Sequence, residues 1–296
     1  MNKNAHFIGY VYSSLAALVW GCIQVLYFNH INYVPPLETV SHRGLWGFII
    51  LLLFVLLNKQ TNIFFSIFKD RKKLFLLCIT GLLVSSNWFF FIMAVSLNRV
   101  QDSSMGYFIS PLLSVAFGYL FFKEKLSIIQ KSCLALIAIA IFNIIINLGN
   151  IPWIAISVAT TWSIYGLLRK KIDVTSHIGL LFETFFLMPF FAAYLLYIHS
   201  HGGGNFSIDD TNTSLLLIGA GIITVLPLFL FNLGVKILPL GIAGLVFYIV
   251  PTLQFITSVL FLGEIILVEK LISFIIIWFA VIIFIYDSSK NKRYVS

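Results

Sequence analysis

The stretch GYFISPLLSVAFGYLFFKEKL, residues 106–126, decides the fold, because it is strongly apolar and returns later in the chain in a related form. The second copy is VFYIVPTLQFITSVLFLGEII, residues 246–266, in which Pro251 falls on Pro111. The separation of these two prolines along the chain is the repeat offset, and at the same offset Glu264 falls on Glu124. A self-match at one fixed offset is the sequence signature of an internal repeat, so the sequence predicts two related halves.

The composition places both halves in a membrane. The 296 residues are 60% hydrophobic and only 10% charged, whereas an ordinary soluble domain carries about 25% charged residues. A spanning helix needs roughly 20 mostly apolar residues, so the chain has room for about ten spans joined by short loops. The apolar runs lack the alternation of barrel strands, and an all-α integral membrane protein is predicted.

Apolar runs between polar or Gly/Pro breaks predict the individual spans. The predicted ranges are 7–28, 35–57, 74–97, 103–122, 127–148, 151–168, 177–198, 213–235, 240–262 and 268–287. The repeat offset corresponds to five spans. Because five is odd, the second copy crosses the membrane in the opposite direction. Such inverted repeats are common among secondary transporters. The predicted fold is therefore ten transmembrane helices as two inverted five-helix repeats, residues 1–148 and 149–296.

The basic residues predict the orientation. The net charge of +8 lies mostly in short clusters between apolar runs, where the positive-inside rule puts it, so a nucleic-acid partner is not indicated. Cytoplasmic N- and C-termini leave only Arg99 and Lys270 on the outer side. We expect a multi-pass protein of the cell inner membrane, whose partners are the lipid bilayer and a small-molecule substrate. A homodimer is left open.

A few charged residues fall inside predicted spans, where charge is costly. They are Glu38, His42 and Arg43 in the second span and Glu183 in the seventh, and the repeat offset places Glu183 on Arg43. One interpretation is a local network of the first three residues that holds the end of their helix. The other makes Arg43 or Glu183 a residue for substrate charge or proton coupling.

Prolines occupy the middle of three predicted spans. Pro111 and Pro251 are equivalent in the two copies, and Pro227 interrupts the eighth span. Proline removes a helical hydrogen bond and kinks a helix, so these positions are candidate gating hinges, with inherited packing as the alternative. Glu124 and Glu264 end the fourth and ninth spans, where a capping or loop-anchoring role is expected.

Several sequence blocks resemble one known family. PPLETVSHRGLW, residues 35–46, is similar to the E-x-x-x-H-R-x-x-W block of the RarD-type permeases, in the EamA family of the drug/metabolite transporter superfamily. Further similar blocks are SNWFFFIMAV (86–95), SMGYFISPLLSVAFGYLFFKEKL (104–126), IYGLLRKKI (164–172), GLLFETFFLMP (179–189) and LPLFLFN (226–232). The chain departs from the family pattern at Phe247 and Val250.

The resemblance implies a central cavity lined mainly by helices 1, 3, 4, 6, 8 and 9. Polar and aromatic residues on those spans are therefore the candidate substrate-binding residues. They are Trp20, Gln24, Asn87, Trp88, Tyr107, Trp162, Tyr165, Asn232 and Tyr248. For Asn87, helix packing remains an equal alternative. An aromatic cavity with few charges would suit an amphipathic or planar solute.

These observations predict a secondary transporter, a permease that moves a small metabolite, such as an amino acid or related amphipathic solute, or a drug by alternating access. The alternatives are a membrane sensor or regulatory protein without transport, or an uptake carrier of the S-adenosylmethionine or nucleoside type. The sequence carries no Walker A loop, no HExxH and no convincing GxSxG. An enzyme, a cofactor and a metal site are therefore not predicted.

Overall fold

Helices dominate the computed structural model, which describes residues 3–122, 127–148, 151–237 and 247–290. They are α1 (Lys3–Leu18), α2 (Gln24–His30), α3 (Pro36–Leu57), α4 (Thr61–Ser66), α5 (Arg71–Ser96), α6 (Val100–Phe122), α7 (Ile128–Leu148), α8 (Trp153–Lys170), α9 (Ser176–Ser200), α10 (Thr211–Ile237), α11 (Ile249–Leu260) and α12 (Val268–Lys290). A π-helical turn, Val19–Ile23, joins α1 to α2. Within those ranges the chain forms no β-strand.

Within the described ranges, six helical stretches are long and apolar enough to cross a membrane. They are Phe7–His30, Pro36–Leu57, Arg71–Ser96, Ile128–Asn147, Ser176–Ser200 and Thr211–Gly234. Large apolar side chains such as Phe142, Leu196 and Ile282 lie exposed on the outside of the bundle, as expected for surfaces that face lipid. The chain is thus an all-helical, multi-pass membrane protein.

The four other predicted spans coincide with α6, α8, α11 and α12. Helix α11 is short, and the predicted span 240–262 is described only from residue 247. The count of ten spans therefore stays a prediction. Glu124 also lies outside the described residues, and of Pro111 only the backbone, inside α6, is described.

Local sequence explains several helix boundaries. Pro36 opens α3 at a first-turn position, where its missing N–H costs nothing. Asp70 caps α5, since its Oδ1 accepts from the backbone N–H of Lys72 at 3.0 Å and of Lys73 at 3.1 Å. Asn98, with φ 54°, turns the chain between α5 and α6, and asparagine tolerates that left-handed backbone better than most residues.

The segment between α3 and α5 forms a short amphipathic structure. Helix α4 and the 3₁₀ turn Ile67–Lys69 bury Phe64 and Ile67 and leave Phe65 and Phe68 exposed. Phe64 packs on Phe182 of α9 with ring centroids 6.2 Å apart. The segment is therefore an amphipathic turn, with one apolar side against the bundle and another exposed.

The described residues form two large cores and one small apolar cluster of Ala94, Ile154 and Val158. The first joins α2, α3, α5, α9 and α10 around buried side chains such as Phe28, Leu51 and Phe91. The second joins α6, α7, α8, α11 and α12 around Met105 and Phe274. A cavity lies where the helices of the two cores meet.

Candidate functional site

A cavity inside the bundle brings eight segments together. The cavity has a volume of about 70 Å³. It has room for a few water molecules, since one water needs about 10–15 Å³. It is lined by Trp20, Gln24, Arg43, Val84, Asn87, Trp88, Tyr107, Trp162, Tyr165, Leu180, Thr224, Leu228, Phe247, Val250 and Gln254. Both halves of the chain thus contribute to one small chamber.

Seven of the nine candidate binding residues line this cavity. They are Trp20, Gln24, Asn87, Trp88, Tyr107, Trp162 and Tyr165. The structure does not bring Asn232 and Tyr248 to it. Asn232 lies four residues, about 6 Å, farther along α10 than the lining residue Leu228. Tyr248 packs instead on Phe108 of the second core, with ring centroids 6.3 Å apart. Side chains of successive helical residues point about 100° apart. Since Phe247 faces the cavity, its neighbour Tyr248 faces away from it.

Stacked aromatic rings form one wall of the cavity. Trp162 of α8 lies parallel to Phe247, with centroids 6.0 Å apart and planes 8° apart. Tyr165, about one turn farther along α8, stacks on Trp162 with centroids 5.4 Å apart. Trp20 meets Phe247 edge-on at 6.2 Å. The wall thus offers flat apolar faces and edges suited to a planar group.

The π-helical turn explains how Trp20 reaches the cavity. Single π turns inside helices occur frequently at functional sites, since they change which side chains face a given direction. Gly21 lies within this turn and against α11, where an added Cβ would come within 2.5 Å of the Leu253 Cβ. A glycine is therefore required for the turn to approach α11, and this approach places Trp20 and Gln24 beside the cavity.

Asn87 ties three helices together at the cavity. Its Nδ2 donates to the Val158 carbonyl at 3.2 Å and to Thr161 Oγ1 at 3.1 Å, both on α8. Its Oδ1 accepts from the Tyr107 hydroxyl of α6 at 2.8 Å. Both interpretations of Asn87 therefore hold structurally: it lines the cavity and it connects α5 to α6 and α8.

Arg43 lies in the cavity wall with a fully buried guanidinium. Its Cζ lies 4.6 Å from the ring centroid of Trp88 and 5.3 Å from that of Phe28. Its Nε and Nη1 have no hydrogen-bond partner within the described ranges. Among the described residues no carboxylate forms a salt bridge with it. The aromatic faces of Trp88 and Phe28 thus hold the cation.

Glu183, the equivalent of Arg43 in the second half, has other partners. Its carboxylate accepts from Thr80 Oγ1 at 2.7 Å and from the Tyr165 hydroxyl at 3.3 Å. Arg169 Nε lies 3.6 Å from Glu183 Oε1. This buried group lies behind Tyr165 and anchors that ring at the edge of the cavity.

The predicted network of Glu38, His42 and Arg43 does not form. Glu38 accepts from Asn205 N at 2.6 Å and from its Nδ2 at 2.8 Å. The His42 ring stacks on Phe206 at 5.0 Å. The interpretation as a local network was wrong, because the loop after α9 folds over this end of α3. Asn205 of that loop binds Glu38, and Phe206 stacks on His42.

Another acidic group joins the loop after α11 to the start of α6. Glu264, in the loop after α11, accepts from the backbone N–H of Val100 at 2.5 Å and of Gln101 at 3.0 Å, at the start of α6. This bears out the expected loop-anchoring role. Burial raises the pKa of Glu264, an effect that the two backbone donors and Lys270 offset only in part. Asp102 beside it pairs with Lys270 at 2.8 Å.

Sequence reasoning missed several lining residues. They are Val84, Leu180, Thr224, Leu228, Phe247, Val250 and Gln254. The repeat offset could have found two of them, because it places Leu228 and Phe247 on the candidate residues Trp88 and Tyr107. Phe247 and Val250 are also the positions at which the chain departs from the RarD-type pattern. No cluster of His, Cys, Asp or Glu side chains suited to a metal ion occurs in the described ranges.

Comparisons with known proteins agree with this architecture. A model of the EamA-like transporter family matches residues 7–146 and again residues 151–286. An uncharacterized transporter of Vibrio cholerae is 38% identical over 93% of this chain and 91% of its own. Protein RarD of Escherichia coli is 35% identical over 96% of each chain. A solved crystal structure shares the fold, with a TM-score of 0.57 at 18% identity over 96% of this chain and 98% of its own.

Proposed function

This chain belongs to the EamA-like transporter family, and we propose that it is a secondary transporter that carries a small metabolite or a drug across the inner membrane by alternating access. The observation that carries the proposal is the cavity, because a single buried chamber is lined by residues from both halves of the chain. Secondary transporters bind their substrates at such a place, between two repeats near the middle of the bilayer.

The proposal includes two inverted five-helix repeats. Three pairs of lining residues are separated by the repeat offset. They are Val84 with Thr224, Trp88 with Leu228 and Tyr107 with Phe247. Equivalent positions thus face one chamber from opposite halves, as a pseudo-two-fold axis through the cavity requires. The double match of one family model, to residues 7–146 and 151–286, also supports this organisation.

Two glycines at the same offset support the repeat independently. A Cβ at Gly81 of α5 would lie 3.2 Å from the Glu183 carbonyl oxygen of α9. A Cβ at Gly221 of α10 would lie 2.7 Å from the Trp46 backbone of α3. At the repeat offset, α5 corresponds to α10 and α9 corresponds to α3. The contact of α5 with α9 is therefore equivalent to the contact of α10 with α3. Equivalent glycines therefore permit equivalent close approaches of membrane helices.

Helix packing follows the same correspondence. The repeat offset relates α3 to α9, α5 to α10, α6 to α11 and α7 to α12, and it relates α8 to the segment from α1 to α2. Each helix also packs on its own equivalent in three cases. They are α3 with α9, α6 with α11 and α7 with α12. The packing of α1 on α10 has its counterpart in α8 on α5, and that of α3 on α10 in α9 on α5.

Contacts at the two ends of the bundle fit cytoplasmic termini. Segments predicted to be outside contact each other through Tyr33 with Thr213, Glu38 with Asn205 and Gln101 with Glu264. Segments predicted to be inside contact each other through Gln60 with His177 and Ser127 with Asp287. The positive-inside rule then assigns the second group of segments to the cytoplasm.

Substrate-loaded counterflow with purified protein in liposomes tests this function. The panel contains amino acids, S-adenosylmethionine, nucleosides and amphiphilic drugs. We expect saturable exchange of at least one compound, abolished by Trp20→Ala or Asn87→Ala. Ile282→Ala, on the lipid-facing side of α12, is the control and should exchange normally. Absence of exchange for every compound, with folded protein, would favour a regulatory membrane protein instead.

A further inference from the structure

The cavity contains an uncompensated cation. The Arg43 side chain is buried, with 3% of the residue exposed, and its Nε and Nη1 have no partner in the part of the chain that the structure describes. A lone charge in the interior of a membrane protein is expensive unless an opposite charge or a water-filled space receives it. Because Arg43 lines the cavity, that space is where an opposite charge can be received.

The nearby buried acids are held by other groups. Glu183 accepts from Thr80 and faces Arg169 at 3.6 Å. Glu38, five residues before Arg43 on α3, accepts two hydrogen bonds from Asn205. Neither carboxylate forms a salt bridge with Arg43. In the described parts of the chain, the charge that would neutralise this guanidinium is therefore missing.

The geometry of Arg43 leaves its donors available. Trp88 and Phe28 lie near the guanidinium with their rings 4.6 and 5.3 Å from Cζ. The N–H groups of a guanidinium lie in its plane, in a fork that matches the two oxygens of a carboxylate. Nε and Nη1 of Arg43, which have no partner among the described residues, can each donate an N–H to such a group.

Two buried amides add complementary acceptors. Gln24 is 5% exposed and Gln254 is 2% exposed. Both line the same cavity, and the Oε1 atom of each has no hydrogen-bond partner among the residues described. Buried polar atoms without partners are rare in proteins. The two oxygens can accept from N–H or O–H groups on a bound solute.

We propose that the transported solute is a small organic anion, a carboxylate with a planar or apolar body, whose charge is bound by Arg43. The planar part lies against the wall of Trp162 and Phe247, and Gln24 and Gln254 accept from any donors that it carries. This inference rests on the proposed function and adds the substrate class and the residue that selects it.

A matched series of probes tests the charge directly. Phenylacetate, phenylacetamide and phenethylamine share one ring and differ in charge. Isothermal titration of the purified wild-type protein should give binding of phenylacetate that is about tenfold or more tighter than that of phenylacetamide, with no binding of phenethylamine. Equal or tighter binding of the amide or the amine would overturn the proposal, and so would absence of phenylacetate binding at high millimolar concentration.

Variants then locate the selecting residue. Arg43→Gln should bring phenylacetate and phenylacetamide to within about twofold of each other, whereas Arg43→Lys should keep a preference for the anion. Lys131→Gln, which removes an exposed cation at the start of α7, should behave like the wild type. An unchanged anion preference in Arg43→Gln would contradict the assignment. The protein could instead exchange a neutral or cationic solute selectively, with a rate that Arg43→Gln does not change. That result would support the transporter function and refute only the substrate class.

Discussion

At the residue scale, Arg43 and Glu183 show how two equivalent positions can serve different purposes. Arg43 points into the cavity between aromatic rings, whereas Glu183 lies behind Tyr165 and faces Arg169. One of the two halves thus contributes a free charge to the chamber, and the other contributes a neutralised group that supports its wall. The two halves of the chain therefore contribute different chemistry to the chamber.

Removal of Glu183 should destabilise the protein strongly. Glu183→Ala leaves Arg169 without its carboxylate, and an unpaired buried charge costs about 3–5 kcal/mol. Thermal unfolding in detergent should show a much lower midpoint for this variant. Glu269→Ala, half-buried at the start of α12, is the control. A midpoint equal to that of the control would contradict the role assigned to the buried pair.

The sequence identified the charged residues but not their partners. The repeat offset relates Arg43 to Glu183 without any structural knowledge. Which group each one meets depends on neighbouring helices, and Arg169 lies in a basic cluster, Arg169-Lys170-Lys171, that gives no sign of a buried partner. Similarly, the loop residue Asn205 gave no sequence signal for its bonds to Glu38.

At the element scale, glycines set how closely the helices approach. Gly21→Ala should push the π-helical turn away from α11, because the new Cβ would lie 2.5 Å from the Leu253 Cβ. Overpacking of this kind costs about 1–3 kcal/mol, and it would displace Trp20 from the cavity. We expect reduced exchange and a lower unfolding temperature.

Gly166→Ala provides the matched control. Gly166 lies on α8, and an added Cβ there would meet nothing within 4 Å. Alanine is the better helix former by about 1 kcal/mol, so this variant should be as stable as the wild type or slightly more so. Equal behaviour of the two alanine variants would show that Gly21 is not a packing constraint.

The loop carboxylate Glu264 gives a pH dependence with a definite sign. Burial raises its pKa in the folded protein above the usual 4.5, so between the two values the folded state binds more protons than the unfolded state. The free energy of unfolding therefore falls as pH rises through that window. Glu264→Gln should remove this slope, as measured by thermal unfolding from about pH 4 to about pH 7. Parallel curves for the two proteins would contradict the prediction.

The sequence predicted most elements but missed their irregularities. The apolar runs locate α3, α5, α7, α9 and α10 to within a few residues. The π turn at Val19–Ile23 was not foreseen, because its residues continue the apolar run without a break. Pro227 was expected to interrupt a helix, whereas α10 continues through it. The gating role of the prolines stays a prediction.

At the scale of the whole molecule, the proposed topology places the loop of residues 201–210 outside and the loop of residues 171–175 inside. The test uses a protein in which Cys22, Cys78 and Cys133 are replaced by alanine. In intact cells, a membrane-impermeant maleimide should label Asp209→Cys and leave Asp173→Cys unlabelled until the cells are permeabilised. The reverse pattern would invert the orientation, and labelling of both would exclude the ten-span topology.

The fold class was readable from the sequence because composition alone restricts a chain of this kind to membrane helices. Seven cavity residues were also predictable, since they are polar or aromatic and lie on the spans that the family resemblance assigns to a cavity. Leu180, Val250 and Gln254 were not, because an apolar or isolated polar residue gives no sign of which neighbour it faces. Only the packed bundle distinguishes the cavity side of each helix.

Alternating access is the central claim, and the accessibility of one cavity position tests it most directly. Val84→Cys, in the background without Cys22, Cys78 and Cys133, places a single thiol in the cavity wall. In oriented proteoliposomes, an impermeant maleimide should label it slowly from either face, and a transported solute should protect it from both. Labelling from one face only, or no labelling while exchange continues, would contradict transport through this cavity.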